Sequence, residues 1–122
     1  MKKILIIDDE RDLVELMKGY LLKQGFQVMT ASDGVVGLTK AKTELPDLII
    51  LDISMPHMDG ISFIRNIKEI DPAKEIPLLV SSGQIPSEQF LDEANINWLQ
   101  KPYSSKDLMN KIKSIFDQPQ KS

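Results

Sequence analysis

Five residues near the middle of the chain, Leu48-Ile49-Ile50-Leu51-Asp52, limit what it can fold into more than any other stretch. Four consecutive large apolar residues offer no polar face to water, so the run reads as a strand covered on both sides. Pro46-Asp47 before it and a loop with Pro56 and Gly60 after it hold it to strand length. A strand covered on both faces requires a sheet with helices above and below. This one also ends on a carboxylate, at the edge where open α/β sheets place their ligands. Asp52 is therefore the first candidate functional residue.

A second continuous run, Ile4 to Ile7, stops abruptly at Asp8-Asp9-Glu10. Leu13, Val14, Met17, Leu21 and Leu22 then recur at helical spacing, with Asp12 suited to open the helix and Gly25 to close it. Phe26 to Ala31 alternates like a strand with a more exposed face. Ser32 and Asp33 cap a helix over about Gly34 to Glu44, with Val35, Leu38, Ala41 and Leu45 as its expected buried stripe. After the central strand, Gly60 opens a helix in which Ile61, Ile64, Ile67 and Ile70 recur, closed by Asp71-Pro72. Ile76 to Ser81 reads as a fourth strand and Asn97 to Gln100 as a fifth, joined through a short helix carrying Phe90, Leu91 and Ala94. Ser104 or Ser105 caps a last helix with Leu108, Ile112, Ile115 and Phe116. The expected domain is 1–117, with 118–122 a tail or linker stub.

Strand and helix alternate five times through short connections. That predicts a parallel sheet with helices on both faces, and right-handed crossovers favour the flavodoxin-like strand order 2-1-3-4-5. At 122 residues the chain fits one such domain. A net charge of −3 argues against nucleic acid or a membrane as direct partner. The absence of Cys removes disulfides and thiolate metal sites, and His57 is the only histidine. The first apolar run is too short for a secretory leader, so the cytoplasm is the expected compartment.

In that strand order the carboxyl ends of strands 1 and 3 are neighbours, so Asp8, Asp9 and Asp52 converge. Like charges this close must protonate or be neutralised by a cation. Oxygen ligands alone point to Mg²⁺ or Ca²⁺, and so few carboxylates suit a half-hydrated Mg²⁺ better than a calcium cage. Ser82 and Lys101 end strands 4 and 5 on the same edge and suit the oxygens of a phosphoryl group. Asp52 becomes the natural nucleophile for an aspartyl phosphate. Taken singly, each residue has a plainer reading: acids decorating a helix start, a turn Asp, a structural Ser or Lys, a solvated His57, a capping Asp59. Their joint placement at the ends of four strands favours the functional one.

At this point the chain resembles the receiver domain of two-component response regulators, through ILIIDDE, LDISMPHMDG, IPLLVSSG and WLQKPY in the family's order. The resemblance runs from about Lys3 to Phe116. It implies that Asp52 accepts a phosphoryl group from a phosphohistidine on a sensor histidine kinase or phosphotransfer protein. It implies Mg²⁺ on Asp9, Asp52 and the backbone carbonyl of Ser54, with Asp8 helping through water. Ser82 would move toward the phosphoryl group, Lys101 would bridge to it, and Lys101-Pro102 would be cis. Conformational switching would then signal to a downstream protein or to a C-terminal output domain, from a monomer or a weak phosphorylation-dependent dimer, with no more than weak autophosphorylation and autodephosphorylation as chemistry.

Some positions depart from the family pattern. Ser82 replaces the usual Thr and Gly83 the usual Ala, and Trp98 holds the switch-aromatic position of Tyr or Phe. The larger indole is expected to fill room left by the missing Ser82 methyl. The segment from Gly83 to Trp98 is short, giving a shortened fourth helix that is marginal alone. Ser54 and Gln84 flank the site two residues after Asp52 and Ser82, and are expected to tune dephosphorylation. Two other functions compete: a Mg²⁺-dependent phosphohydrolase, which would want an acid where Ser54 stands, and a degenerate docking module, which would not need the full set of Asp8, Asp9, Asp52, Ser82 and Lys101.

Overall fold

The computed structural model describes residues 1–53, 60–83 and 96–117, and within them every side chain but those of Ile61 and Ser82. Its strands are β1 (Lys3–Ile7), β2 (Gln27–Ala31), β3 (Leu48–Asp52), β4 (Leu78–Ser82) and β5 (Ile96–Gln100). The described helices are α1 (Arg11–Lys23), α2 (Gly34–Glu44), α3 (Gly60–Ile67) and α4 (Ser105–Asp117), with a 3-10 turn at Ala73–Glu75. All pairings are parallel and the sheet order is β2-β1-β3-β4-β5, the expected doubly wound arrangement. The short helix expected between β4 and β5 lies outside the described residues.

Alternation along the buried strands divides the core in two. Leu5, Ile7, Ile49, Leu51, Leu78 and Val80 face Ala41 of α2 and Phe63, Ile64 and Ile67 of α3. Ile4, Ile6, Leu48, Ile50 and Leu79 face Val14, Met17 and Leu21 of α1 and Leu108, Met109, Ile112 and Ile115 of α4. All five residues of β3 are buried. Burying each of its aliphatic side chains contributes roughly 1.5–3 kcal/mol before entropy is counted, so the central strand is firmly held.

The helix ends follow local chemistry. Asp33 caps α2, its Oδ1 accepting from the Val36 N–H at 2.9 Å. Ser104 caps α4 reciprocally: its hydroxyl accepts from the Asp107 N–H at 3.0 Å, and its own N–H donates to the Asp107 carboxylate. Gly25 takes φ +96 just past α1, as its position suggested. Asp12 sits one residue inside α1, whose N-cap is Glu10 with no side-chain capping bond.

Two expected stripes need correction. On α2, Val35 is 54% exposed and Leu45 points outward from a left-handed cap (φ 46); Gly34, Gly37 and Ala41 are the buried positions. A Cβ on Gly37 would meet Ile7 Cδ1 at 2.5 Å, so small residues bring this helix close to β1. On α3, the helix ends at Ile67, Ile70 is half-buried beyond it, and Phe63, which the spacing passed over, is fully buried. Lys101-Pro102 is cis as expected, and Asp71-Pro72 is cis as well.

Candidate functional site

Parallel strands all present their carboxyl ends on one edge, and the register fixes which residues meet there. Ile7 pairs with Leu51, Asp52 with Ser81, and Ser82 with Gln100. Asp8 and Lys101 each lie one residue past a strand end, on β1 and β5. The two strand-end acids are deeply placed, Asp8 at 4% and Asp52 at 6% exposure.

Lys101 reaches across the edge to join them. Its Nζ lies 3.2 Å from Asp8 Oδ2, 3.4 Å from Asp52 Oδ2 and 3.5 Å from Glu10 Oε1. Asp8 Oδ1 accepts from the Glu10 N–H at 2.9 Å. One ammonium thus serves three carboxylates. Burial pushes the Asp8 carboxyl above its ordinary value; the Glu10 N–H and Lys101 pull it back, and Asp52 adds to the rise. Burial works to lower Lys101, but Asp8, Asp52 and Glu10 outweigh it and hold the ammonium above the usual lysine value. Lys101 therefore stays charged, and the site keeps an excess of negative charge.

Asp8, Asp52 and Lys101 come together as the sequence suggested. Asp9 does not join them: its side chain is exposed, while Glu10 supplies the third carboxylate, with one oxygen from each of Asp8, Glu10 and Asp52 lying within 4.8 Å of one another. In the sequence Glu10 is only the last of the three acids that follow the first strand. Its cue was the N-cap position, where extended backbone (φ −82, ψ 97) and a side chain free of capping duty let it turn to the site. Ser82 is the last residue of β4, with its side chain outside the description, and Ser54 and Gln84 lie outside the described residues. Trp98 is half-buried and packs against the core on the α2–α3 side. Tyr103, just after the Lys-Pro turn, donates its hydroxyl to Met17 Sδ at 2.9 Å, and burial pushes its phenol up to about 12.

The arrangement defines a class: a doubly wound α/β domain whose ligand cleft is an acid-lined carboxyl edge with one lysine across it. A sequence profile of the response regulator receiver domain matches residues 4–113, and the chain belongs to that family. It is 35% identical over 119 residues to the alkaline phosphatase synthesis transcriptional regulatory protein PhoP of Bacillus subtilis, covering 93% of this chain and 48% of that one. It is 32% identical over 116 residues to the response regulator PleD of Caulobacter vibrioides, covering 93% of this chain and 26% of the relative. The chain spans about half the length, or less, of the curated relatives it matches. Among solved structures, the chemotaxis response regulator CheY4 of Vibrio cholerae superposes with a TM-score of 0.86 at 28% identity, over 94% of this chain and 98% of CheY4.

Receiver domains are the phosphoacceptor modules of two-component signalling and bind Mg²⁺ at an acidic pocket; the family is one of signalling domains rather than of conventional enzymes. No described helix is long and apolar enough to cross a membrane.

Proposed function

We propose that Asp52 accepts a phosphoryl group from a phosphohistidine on a sensor kinase or phosphotransfer protein, and that the aspartyl phosphate switches the domain's signalling state. A buried Asp52 carboxylate 3.4 Å from the Lys101 ammonium, at the acid-lined edge of the sheet, carries this reading. In the transfer, one Asp52 oxygen forms the new P–O bond as the P–N bond breaks, and the leaving imidazole keeps the electron pair and takes up a proton. Lys101 then exchanges a carboxylate partner for a phosphoryl oxygen, so positive charge is already in place where negative charge arrives.

The donor set fits Mg²⁺: oxygens alone, close enough to share one ion, and more negative charge than Lys101 balances. Asp52, Asp9 and the Ser54 carbonyl would hold the ion with Asp8 in support, while Glu10, the most exposed and most distant of the lysine's three partners, competes with Asp9 for that duty. Bound there, the ion neutralises the phosphoryl oxygens. Ser82 would donate to the phosphoryl group, Trp98 would follow it in the switch, and Ser54 and Gln84 would set how long the adduct lasts. The charge gained would bias a two-state element, read by a downstream protein or an output domain. The cytoplasm is the compartment this reading needs.

Incubation with Mg²⁺ and acetyl phosphate tests the proposal by intact mass. One added phosphoryl group is expected, lost in Asp52→Asn and in excess chelator. Rapid turnover of acetyl phosphate without an adduct would instead mark a phosphohydrolase, and no reaction would mark a docking module.

A further inference from the structure

Glu10 occupies the N-cap of α1, where a short polar side chain would accept from the first N–H groups of the helix, yet it makes no such bond. Its side chain is 62% exposed, and its one ion-pair partner among the described residues is Lys101, 3.5 Å away. Its backbone is tied to the cleft as well. The Glu10 N–H donates to Asp8 Oδ1 at 2.9 Å, while the other oxygen of that carboxylate meets Lys101 at 3.2 Å. The three carboxylates around the ammonium therefore differ in kind. The side chains of Asp8 and Asp52 are almost wholly buried, whereas that of Glu10 stands in solvent at the edge of the cleft.

The functional reading above asks the two buried carboxylates to serve two cations. Mg²⁺ draws on Asp52 and Asp8, and Lys101 already lies against one oxygen of each. A divalent ion and an ammonium crowded onto the same two groups repel each other. Metal binding therefore requires the lysine to give up carboxylate partners, yet its Nζ must stay within reach of Asp52 to meet the phosphoryl group. Glu10 meets both demands. It is already in contact with Nζ, and it lies on the solvent side, away from the buried pair. Exposed ion pairs are weak, which suits a hold that has to be released.

We propose that Glu10 is a positioning residue for Lys101: its carboxylate keeps the ammonium at the cleft when a metal ion claims Asp8 and Asp52, and gives it up to the incoming phosphoryl group. The proposal rests on the metal and phosphoacceptor reading, and it assigns Glu10 to the lysine in preference to the ion. The uncapped start of α1 follows from it, since a side chain turned to Lys101 is not turned to the helix.

Calorimetric titration with Mg²⁺, with no phosphodonor present, tests this in four chains: native, Glu10→Gln, Lys101→Met and the double variant. Lys101→Met should bind Mg²⁺ more tightly than the native chain, because no ammonium competes. Glu10→Gln should weaken binding about five-fold where Lys101 is present, since the ammonium is then left with only Asp8 and Asp52; that is a coupling of the size residues in contact show. In the Lys101→Met background the same substitution should leave the affinity nearly unchanged. Circular dichroism checks folding, and Lys101→Gln serves as a second neutral background. Equal weakening in both backgrounds would make Glu10 a ligand or a general charge and overturn the proposal, as would no weakening in either. Absence of Mg²⁺ binding by the native chain, or binding undiminished in Asp52→Asn, would overturn the metal reading and the proposal with it.

Discussion

Replacing Asp8 by Asn should make the metal-free protein more stable and the Mg²⁺-bound protein less stable, so that the ranking of the two chains inverts with the ion. Asn keeps the shape and can accept from the Glu10 N–H as Asp8 Oδ1 does at 2.9 Å, but it gives up the 3.2 Å ion pair with Lys101. Charges about 4 Å apart interact by about 4 kcal/mol at an effective dielectric of about 20. Attraction to Lys101 exceeds repulsion from Asp52, and burial exceeds the difference. Burial is what remains, and its direction is set by the raised carboxyl of Asp8. The folded chain holds the Asp8 proton more tightly than the unfolded chain does. Its contribution is fully present below the ordinary value of 3.8 and is lost as pH rises through the folded-state value. At neutral pH the ionised group is a net cost, and removing it should gain on the order of 1 kcal/mol, or roughly 4 °C in Tm for a domain of this size. With Mg²⁺ at about a hundred times Kd the native chain gains roughly 3 kcal/mol that the variant loses in part. Thermal unfolding in chelator and in saturating Mg²⁺, followed by circular dichroism, reads both arms. If Asp8→Asn is the less stable chain in chelator, or if Mg²⁺ raises both melting points equally, the electrostatic account of the cleft is wrong.

Three further outcomes are expected. Gly37→Val should destabilise the fold by about 1–3 kcal/mol, because its side chain enters the space of the fully buried Ile7; urea titration measures it. The Tyr103 phenol, raised to about 12, should make stability fall as pH rises from about 10 through that value, and Tyr103→Phe should remove this slope in pH-dependent melts. Ser104→Ala should cost about 1 kcal/mol by loss of the α4 cap, with the rate of phosphorylation by acetyl phosphate unchanged.

What could be read in advance divides along physical lines. The strand order and the placement of Asp8 and Asp52 were legible because continuous apolar runs ending in acids mark strands and their carboxyl ends at once, and Lys101 was legible from the Lys-Pro break after the short fifth strand. The buried side of α2 was not, because a helix that approaches a sheet through Gly34, Gly37 and Ala41 leaves no large apolar stripe to count. Its valine at position 35 satisfied the period and faced water. Phe63 escaped for the opposite reason: a regular isoleucine repeat drew the helix axis a little to one side of the true buried face. Glu10 required three dimensions, since only the cap backbone and the crossing from β5 bring its carboxylate to Lys101. The exposed Asp9 beside it shows that adjacent acids in one sequence motif need not share one environment.

Asp52, the proposed phosphoryl acceptor, can be identified at the level of one residue. An acyl phosphate is reduced by borohydride to an alcohol, whereas a free carboxylate is not, so tritiated borohydride labels the acceptor alone. After phosphorylation with acetyl phosphate and Mg²⁺, the label is predicted in the peptide containing Leu51-Asp52-Ile53, on the Asp52 side chain, and in no other peptide. Label on Asp8, Asp9 or Glu10, or undiminished labelling of Asp52→Asn, would contradict it.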